Sequence, residues 1–159
     1  MLGRSRGGLT TKLHLSADGR ARPLSLVLSE GQVSDSKMLE PTLDAIRVPR
    51  VGKGRPRKRP GKTRLDKGYS YPRCRQALRR RKLRVIIPER KDQRKQRLKK
   101  GSRGGRPVVF VQADYAQRNV VERCILRLKQ WRRVATRYDK RAVNYQAFVT
   151  LAAIMLWLR

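Results

Sequence analysis

Between residues 9 and 28 the apolar side chains fall on every second position, twice over. Leu9, Thr11, Leu13 and Leu15 share one parity while Thr10, Lys12 and His14 take the other, and Leu24, Leu26 and Leu28 resume the period after Asp18-Gly19. A period of two sends successive side chains to opposite faces of a strand, and an Asp-Gly pair accepts the backbone of a tight turn. This stretch is therefore expected to form a β-hairpin with one apolar face that must find a cover. Downstream patterns supply one. Asp35 and Ser36 are placed to cap a helix over about residues 37–47, striped by Met38, Leu39, Leu43 and Ile46. A strand over residues 63–66, a helix over 72–82 and a β-branched strand over 85–87 follow, then helices over about 114–133 and 141–158. The order is α/β, without an obvious first strand.

Two stretches interrupt that order. Residues 47–62 hold eight cations, three prolines and no acid, and residues 90–106 hold nine cations and one acid. Lacking periodicity, both are expected to be basic exposed loops, either solvated linkers or surfaces for a nucleic-acid backbone. They are the extreme of a general bias. Lys and Arg number 42 against 11 Asp and Glu, a net charge of +31, and 29 of the 42 are Arg. Such a surplus repels itself in a compact state and calls for a polyanionic partner. The guanidinium fork suits phosphate in particular, which favours nucleic acid over a membrane surface. No apolar run approaches the roughly 20 residues that span a bilayer.

Several features read as structural. Cys74 and Cys124 have no neighbouring Cys or His at metal-ligand spacing and are expected to be reduced and structural. His14, alone on the polar face of the hairpin, reads as structural or solvated rather than catalytic. Residues 101–106 are Gly-rich but lack the strand-to-helix setting and the Lys-Ser/Thr of a phosphate loop. Trp131 and Trp157 are expected to pack the last two helices.

The expected helix over 114–133 carries the sharpest pattern. At about 100° per residue, Tyr115, Arg118, Glu122 and Lys129 fall within an arc of about 60°. Val120, Val121, Cys124, Ile125 and Leu128 form a separate core face. Spacing alone leaves two readings open. One is a solvated face with ion pairs such as Arg118–Glu122; the other is a metal-ligating Glu122 beside cations that reach phosphates.

The blocks that contain this pattern bear a family resemblance. Tyr115, Arg118, Glu122 and Lys129, spaced by two, three and six residues, resemble the signature of DDE transposases in the IS-four-like superfamily. Residues 119–124 and 127–132 look like its IS-five group, as do residues 3–12, 66–69, 101–107 and 136–141, in order along essentially the whole chain. The resemblance implies a ribonuclease-H-like fold, with one Asp on the first, central strand, a second just after the fourth strand and a Glu on a later helix. Asp66 matches the second Asp and Glu122 the Glu, as catalytic metal ligands. Two Mg²⁺ (or Mn²⁺) ions about 4 Å apart can clamp both oxygens of an in-line displacement at phosphorus. The resemblance further implies that Arg118 and Lys129 contact phosphates near the scissile bond and that Tyr115 holds terminal nucleotides. The implied reactions are nicking at transposon ends and strand transfer into target DNA, by a dimer in the bacterial cytoplasm, associated with the nucleoid.

The pattern departs from the family in one respect. The first Asp would lie on a strand before the hairpin, and none of residues 1–8 is acidic. Asp18 is explained by its turn and Asp35 by its cap, so neither is expected to substitute. The chain is thus expected to be a partial DDE catalytic domain, incomplete in its central strand and inactive alone. It would be either the partner of an upstream reading-frame product or a decayed remnant. The competing readings are a non-catalytic basic nucleic-acid-binding protein, supported by charge alone, and a regulatory transposase fragment.

Overall fold

The computed structural model describes residues 3–5 and 8–158, apart from the side chains of residues 4, 5 and 9. Its elements in chain order are β1 (Gly3–Ser5), β2 (Gly8–Ala17), β3 (Pro23–Glu30), α1 (Leu39–Asp44), β4 (Lys62–Arg64), α2 (Pro72–Arg80), β5 (Arg84–Ile86), α3 (Lys91–Lys99), α4 (Gln112–Ala116), α5 (Asn119–Lys129), α6 (Arg132–Ala135) and α7 (Ala142–Trp157). Single 3-10 turns cover Asp35–Met38, Lys67–Tyr69 and Gly101–Gly104. The architecture is mixed α/β, with a three-stranded sheet in the order β1-β2-β3 and a two-stranded sheet of β4 and β5. The chain divides into two compact units: one runs to Arg59 and resumes at Asn119, and the other is Pro60–Arg118.

In the first unit the hairpin forms as its alternation dictates. Strands β2 and β3 pair antiparallel with Leu13 opposite Leu28 and Leu15 opposite Leu26. Asp18 closes the turn, its carboxylate accepting from the backbone N–H of Arg20 and Arg22 and from Arg22 Nε, at 2.8–2.9 Å. Burial alone would raise the Asp18 pKa, but the hydrogen bonds from Arg22 and Arg20 outweigh it and hold the carboxyl below its usual range. Asp18→Ala is expected to destabilise this unit by about 1–3 kcal/mol, since backbone donors lose a charged acceptor. A urea melt checks this, and no change in midpoint would remove Asp18 from the account.

Both faces of the hairpin are covered. Leu13, Leu15, Leu26 and Leu28 meet a core of Cys124, Leu128, Val134, Tyr145, Val149, Ala152, Ala153 and Leu156 from α5, α6 and α7. Helix α7 is apolar around most of its circumference, so it buries Tyr145, Val149, Ala152, Ala153 and Leu156 while leaving Leu151, Ile154 and Met155 exposed. The opposite face, polar in the sequence, lies under α1. There His14, Ser25 and Ser29 are buried, with His14 Nε2 at 2.7 Å from Ser29 Oγ and Ser25 Oγ donating to the Thr42 carbonyl at 2.8 Å. Small hydroxyls and one imidazole satisfy one another and the backbone, which lets a polar strand face be buried. His14 is structural, as its isolation in the sequence suggested.

Asp35 departs from expectation. It caps no helix: Ser34 is the N-cap of the 3-10 turn, without a side-chain cap bond, and α1 begins only at Leu39. The Asp35 carboxylate is drawn instead to Lys12 Nζ at 3.4 Å and lies 3.9 Å from His14 Nδ1. Burial lowers the His14 pKa below its ordinary 6.5, Asp35 opposing and Lys12 adding to the effect. The unfolded chain therefore takes up the proton first. Stability linked to His14 is complete above about pH 6.5 and declines as the pH falls through the lower folded value. His14→Gln is expected to flatten the stability profile between pH 5 and 7, as read from urea midpoints; an unchanged slope would contradict the linkage.

In the second unit β4 and β5 pair in parallel across α2, so residues 62–86 form a β-α-β crossover. The helix has Pro72 in its first turn, where the missing N–H is no loss, and buries Cys74, Ala77 and Leu78. Arg75 ties the helix to the chain before it and to the end of β5, donating to the carbonyls of Ser70 and Ile87 at 3.2 and 3.1 Å. The stretch expected to be a basic loop over 90–106 contains α3 and a 3-10 turn. Lys, Arg and Gln are good helix formers, but without an apolar stripe they leave no period to read. The stretch over 47–62 is irregular, with a single isolated bridge between Val48 and Arg57. Among the described residues, no helix is long and apolar enough to cross a membrane.

Candidate active site

Asp66 stands two residues beyond β4, whose extension is held by Leu65 N–H donating to the Ile86 carbonyl at 3.0 Å. Its Oδ1 accepts from Lys67 N–H at 2.6 Å and its carbonyl from Tyr69 N–H at 3.0 Å, making it the N-cap of the 3-10 turn. The side chain is exposed. A short polar residue at this point stops the strand and turns its carboxylate outward at the strand's carboxyl end.

Tyr115 faces it, and Arg118 lies against Tyr115. Burial raises the Tyr115 pKa, Arg118 opposes the shift, and the facing Asp66 carboxylate adds to it. The Arg118 guanidinium lies 5.8 Å from the Tyr115 ring centroid, and Phe110 packs on the ring at 5.2 Å. The anchor comes from residues the sequence did not single out. Asp114 is bound by Lys62 at 2.9 Å through both carboxylate oxygens, with Arg64 at 3.6 Å. The hydrogen bond from Lys62, with the charge of Arg64, holds the Asp114 carboxyl below its usual range. Both cations project from β4, so α4 is fastened to the strand that leads to Asp66.

The same fastening breaks the expected helix over 114–133. Arg64 Nε donates to the Asp114 carbonyl and Arg64 Nη2 to Gln117 Oε1, each at 2.6 Å. That carbonyl is the acceptor an uninterrupted helix would offer to Arg118 N–H. Arg118 N–H turns instead to the Tyr115 carbonyl at 2.8 Å, α4 ends at Ala116, and α5 starts at Asn119. The single arc of Tyr115, Arg118, Glu122 and Lys129 is therefore corrected. Tyr115 and Arg118 belong to the setting of Asp66, while Glu122 and Lys129 share α5. A further break at Gln130–Trp131 separates α5 from α6.

On α5 the expected core face holds, with Cys124 and Leu128 buried and Val120 packed against the core. Burial pushes the Cys124 thiol up to about 11, so it is an unreactive packing residue. Glu122 lies in the first turn, where the helix dipole favours an anion, and is half-buried with Oε2 shielded from solvent. Lys129, exposed at the last turn, is seven residues on, so the two share a face about 10.5 Å apart along the axis. Trp157, expected to pack the last two helices, reaches β3 and the turn before it: its Nε1 donates to the Pro23 carbonyl at 2.8 Å and Arg22 stacks on its ring at 4.1 Å. Among the described residues no three His, Cys, Asp or Glu side chains cluster as a complete metal site. Carboxylate oxygens, as on Asp66 and on Glu122, are the donor type that a hard divalent cation takes.

The chain matches the transposase DDE domain family over residues 3–158. It is 33% identical over 153 residues to a provisionally named transposase for insertion sequence element IS402 from Burkholderia cepacia, covering 96% of this chain and 64% of that protein. The chain thus spans just under two thirds of the length of the curated relative it matches. No solved structure matches it. With the family match running through β4, α4 and α5, the chain belongs to the transposase DDE domain family.

Proposed function

We propose that this chain forms part of a DNA transposase that cuts and joins strands with divalent metal, and that Asp66 and Glu122 are two of its catalytic carboxylates. The observation that carries the reading is the setting of Asp66: an outward carboxylate just beyond a parallel strand, faced by Tyr115, whose ring Arg118 approaches, in a chain of the DDE family. A ribonuclease-H-like fold agrees with the order of elements, an antiparallel hairpin followed by two parallel strands joined by a helix. A third carboxylate would complete the set.

In this reading Asp66 and Glu122 would hold Mg²⁺ or Mn²⁺, which would supply Lewis acidity at the scissile phosphate. Arg118 and Lys129 neutralise phosphate oxygens beside the reacting bond, and Tyr115 presents its ring to an unpaired terminal base. The partners are double-stranded DNA, at transposon ends and at the target, an upstream reading-frame product and a second copy of the complete enzyme. The place of action is the bacterial cytoplasm, at the nucleoid. The alternative of a basic nucleic-acid-binding protein draws on charge alone and leaves the setting of Asp66 unexplained.

The test is Mg²⁺-dependent nicking of a transposon-end duplex by this chain, by the chain joined to its upstream reading frame, and by joined forms carrying Asp66→Ala or Glu122→Ala. Nicking by the joined form alone, lost in both variants, is the expected result. Binding without nicking in every form would transfer the chain to the nucleic-acid-binding reading.

A further inference from the structure

We infer that α3 is a docking element for the phosphate backbone of duplex DNA, presenting Lys91, Lys95 and Lys99 as one stripe. The inference rests on the transposase reading for its partner but on separate residues. At a spacing of four, these lysines lie about 6 Å apart along the helix and within an arc of about 80°. All are exposed, and Lys100 and Arg103 extend the charge past the helix end, where with Gln96 and Lys99 they line an open hollow. Among the described residues, none of these five cations forms an ion pair or a side-chain hydrogen bond.

The neighbouring charges behave differently. Arg97 is taken by Glu89 through two hydrogen bonds of 3.1 Å, and Arg90 by Asp92 at 3.1 Å and by the Tyr71 hydroxyl at 2.9 Å. Gln93 donates to the Ser70 carbonyl at 3.3 Å. These contacts fix the helix on its own unit and leave the lysine stripe outward. The helix dipole favours Lys99 in the last turn, but the rest of the stripe is a cost. Lys91–Lys95 and Lys95–Lys99 are like-charged pairs at the spacing where they repel, and Lys91 sits at the helix N-terminus, where the dipole disfavours a cation. The helix buries no residue, so packing does not offset the repulsion. A polyanion laid along the stripe removes the penalty, and a rigid helix with evenly spaced ammonium groups suits the regular charge of a duplex backbone without reading its bases.

The test is fluorescence anisotropy with a random-sequence DNA duplex across a salt series. It uses the 159-residue chain, the variant Lys91→Gln/Lys95→Gln/Lys99→Gln, and a charge-matched control, Lys37→Gln/Lys140→Gln/Arg141→Gln. Glutamine keeps the helical preference, and circular dichroism checks that helix is retained. The α3 variant is expected to lower the slope of log affinity against log salt by about 2–3, with little loss in the control. In the unmodified chain, duplex DNA should also slow acylation of Lys91, Lys95 and Lys99 severalfold. Equal slope losses in variant and control, or acylation unchanged by DNA, would overturn the inference. A slope loss confined to duplex RNA would do the same. Asp66→Asn and Glu122→Gln are read in parallel for nicking by the complete enzyme. Failure of α3 with nicking lost in those variants leaves the transposase reading standing, whereas an intact α3 effect with nicking indifferent to them removes it.

Discussion

Strand nicking by the complete transposase should fall roughly a thousandfold or more in Asp66→Asn or Glu122→Gln, with duplex binding retained or slightly strengthened. Each substitution keeps the size of the side chain and removes the charge that a divalent cation requires. Each also removes an anion from a surface meant for phosphate, so binding should not suffer. Asp66→Asn keeps an oxygen that can accept from Lys67 N–H, and the turn after β4 should persist. Arg118→Ala and Lys129→Ala should behave differently, weakening binding and steepening the dependence of rate on DNA concentration. Gel-resolved nicking and anisotropy on the same preparations separate the two patterns. Nicking unchanged in either carboxylate variant would take that residue out of the chemistry.

The second large effect concerns the first unit. Leu128→Ala or Leu156→Ala should destabilise it by about 2–5 kcal/mol each, because both side chains are buried to 1–2% exposure between the hairpin and the last helices. A domain of this size commands about 5–15 kcal/mol in all, and the self-repulsion of a +31 chain works against it. One such substitution therefore uses a large share, and the pair together should leave the unit largely unfolded. Urea midpoints followed by circular dichroism measure this. A loss below about 1 kcal/mol for both would show that the sheet and α5–α7 do not share the core described here.

How much could be read from the sequence depended on whether a residue's neighbours were local. The hairpin was legible because Leu13, Leu15, Leu26 and Leu28 alternate on their own, and the Cys124–Leu128 face because a helix repeats on its own. Asp66 could be placed at a strand end for the same reason. The burial of His14 was not legible, since the helix that covers it lies more than 20 residues away and nothing on the strand announces it. Nor was the break after Ala116. Its cause is Arg64, which takes the Asp114 carbonyl from 50 residues upstream, while the local text at 112–129 contains neither proline nor glycine. Helix α3 escaped because periodicity is read from apolar residues, and Leu98 is the only one among residues 91–99. The family resemblance identified Tyr115 and Arg118, but not their fastening to β4 through Lys62, Arg64 and Asp114.

In the function proposed above, Asp66 and Glu122 serve one divalent-metal site. The measurement that tests it most directly is iron-directed backbone cleavage of the complete enzyme bound to a transposon-end duplex. Fe²⁺ replaces Mg²⁺, and radicals generated with ascorbate and peroxide cut the chain beside the bound ion. The account predicts cuts flanking both Asp66 and Glu122, competed away by Mg²⁺ and lost at both places in Asp66→Asn. Cuts at only one carboxylate, or a pattern unchanged by Asp66→Asn, would contradict it.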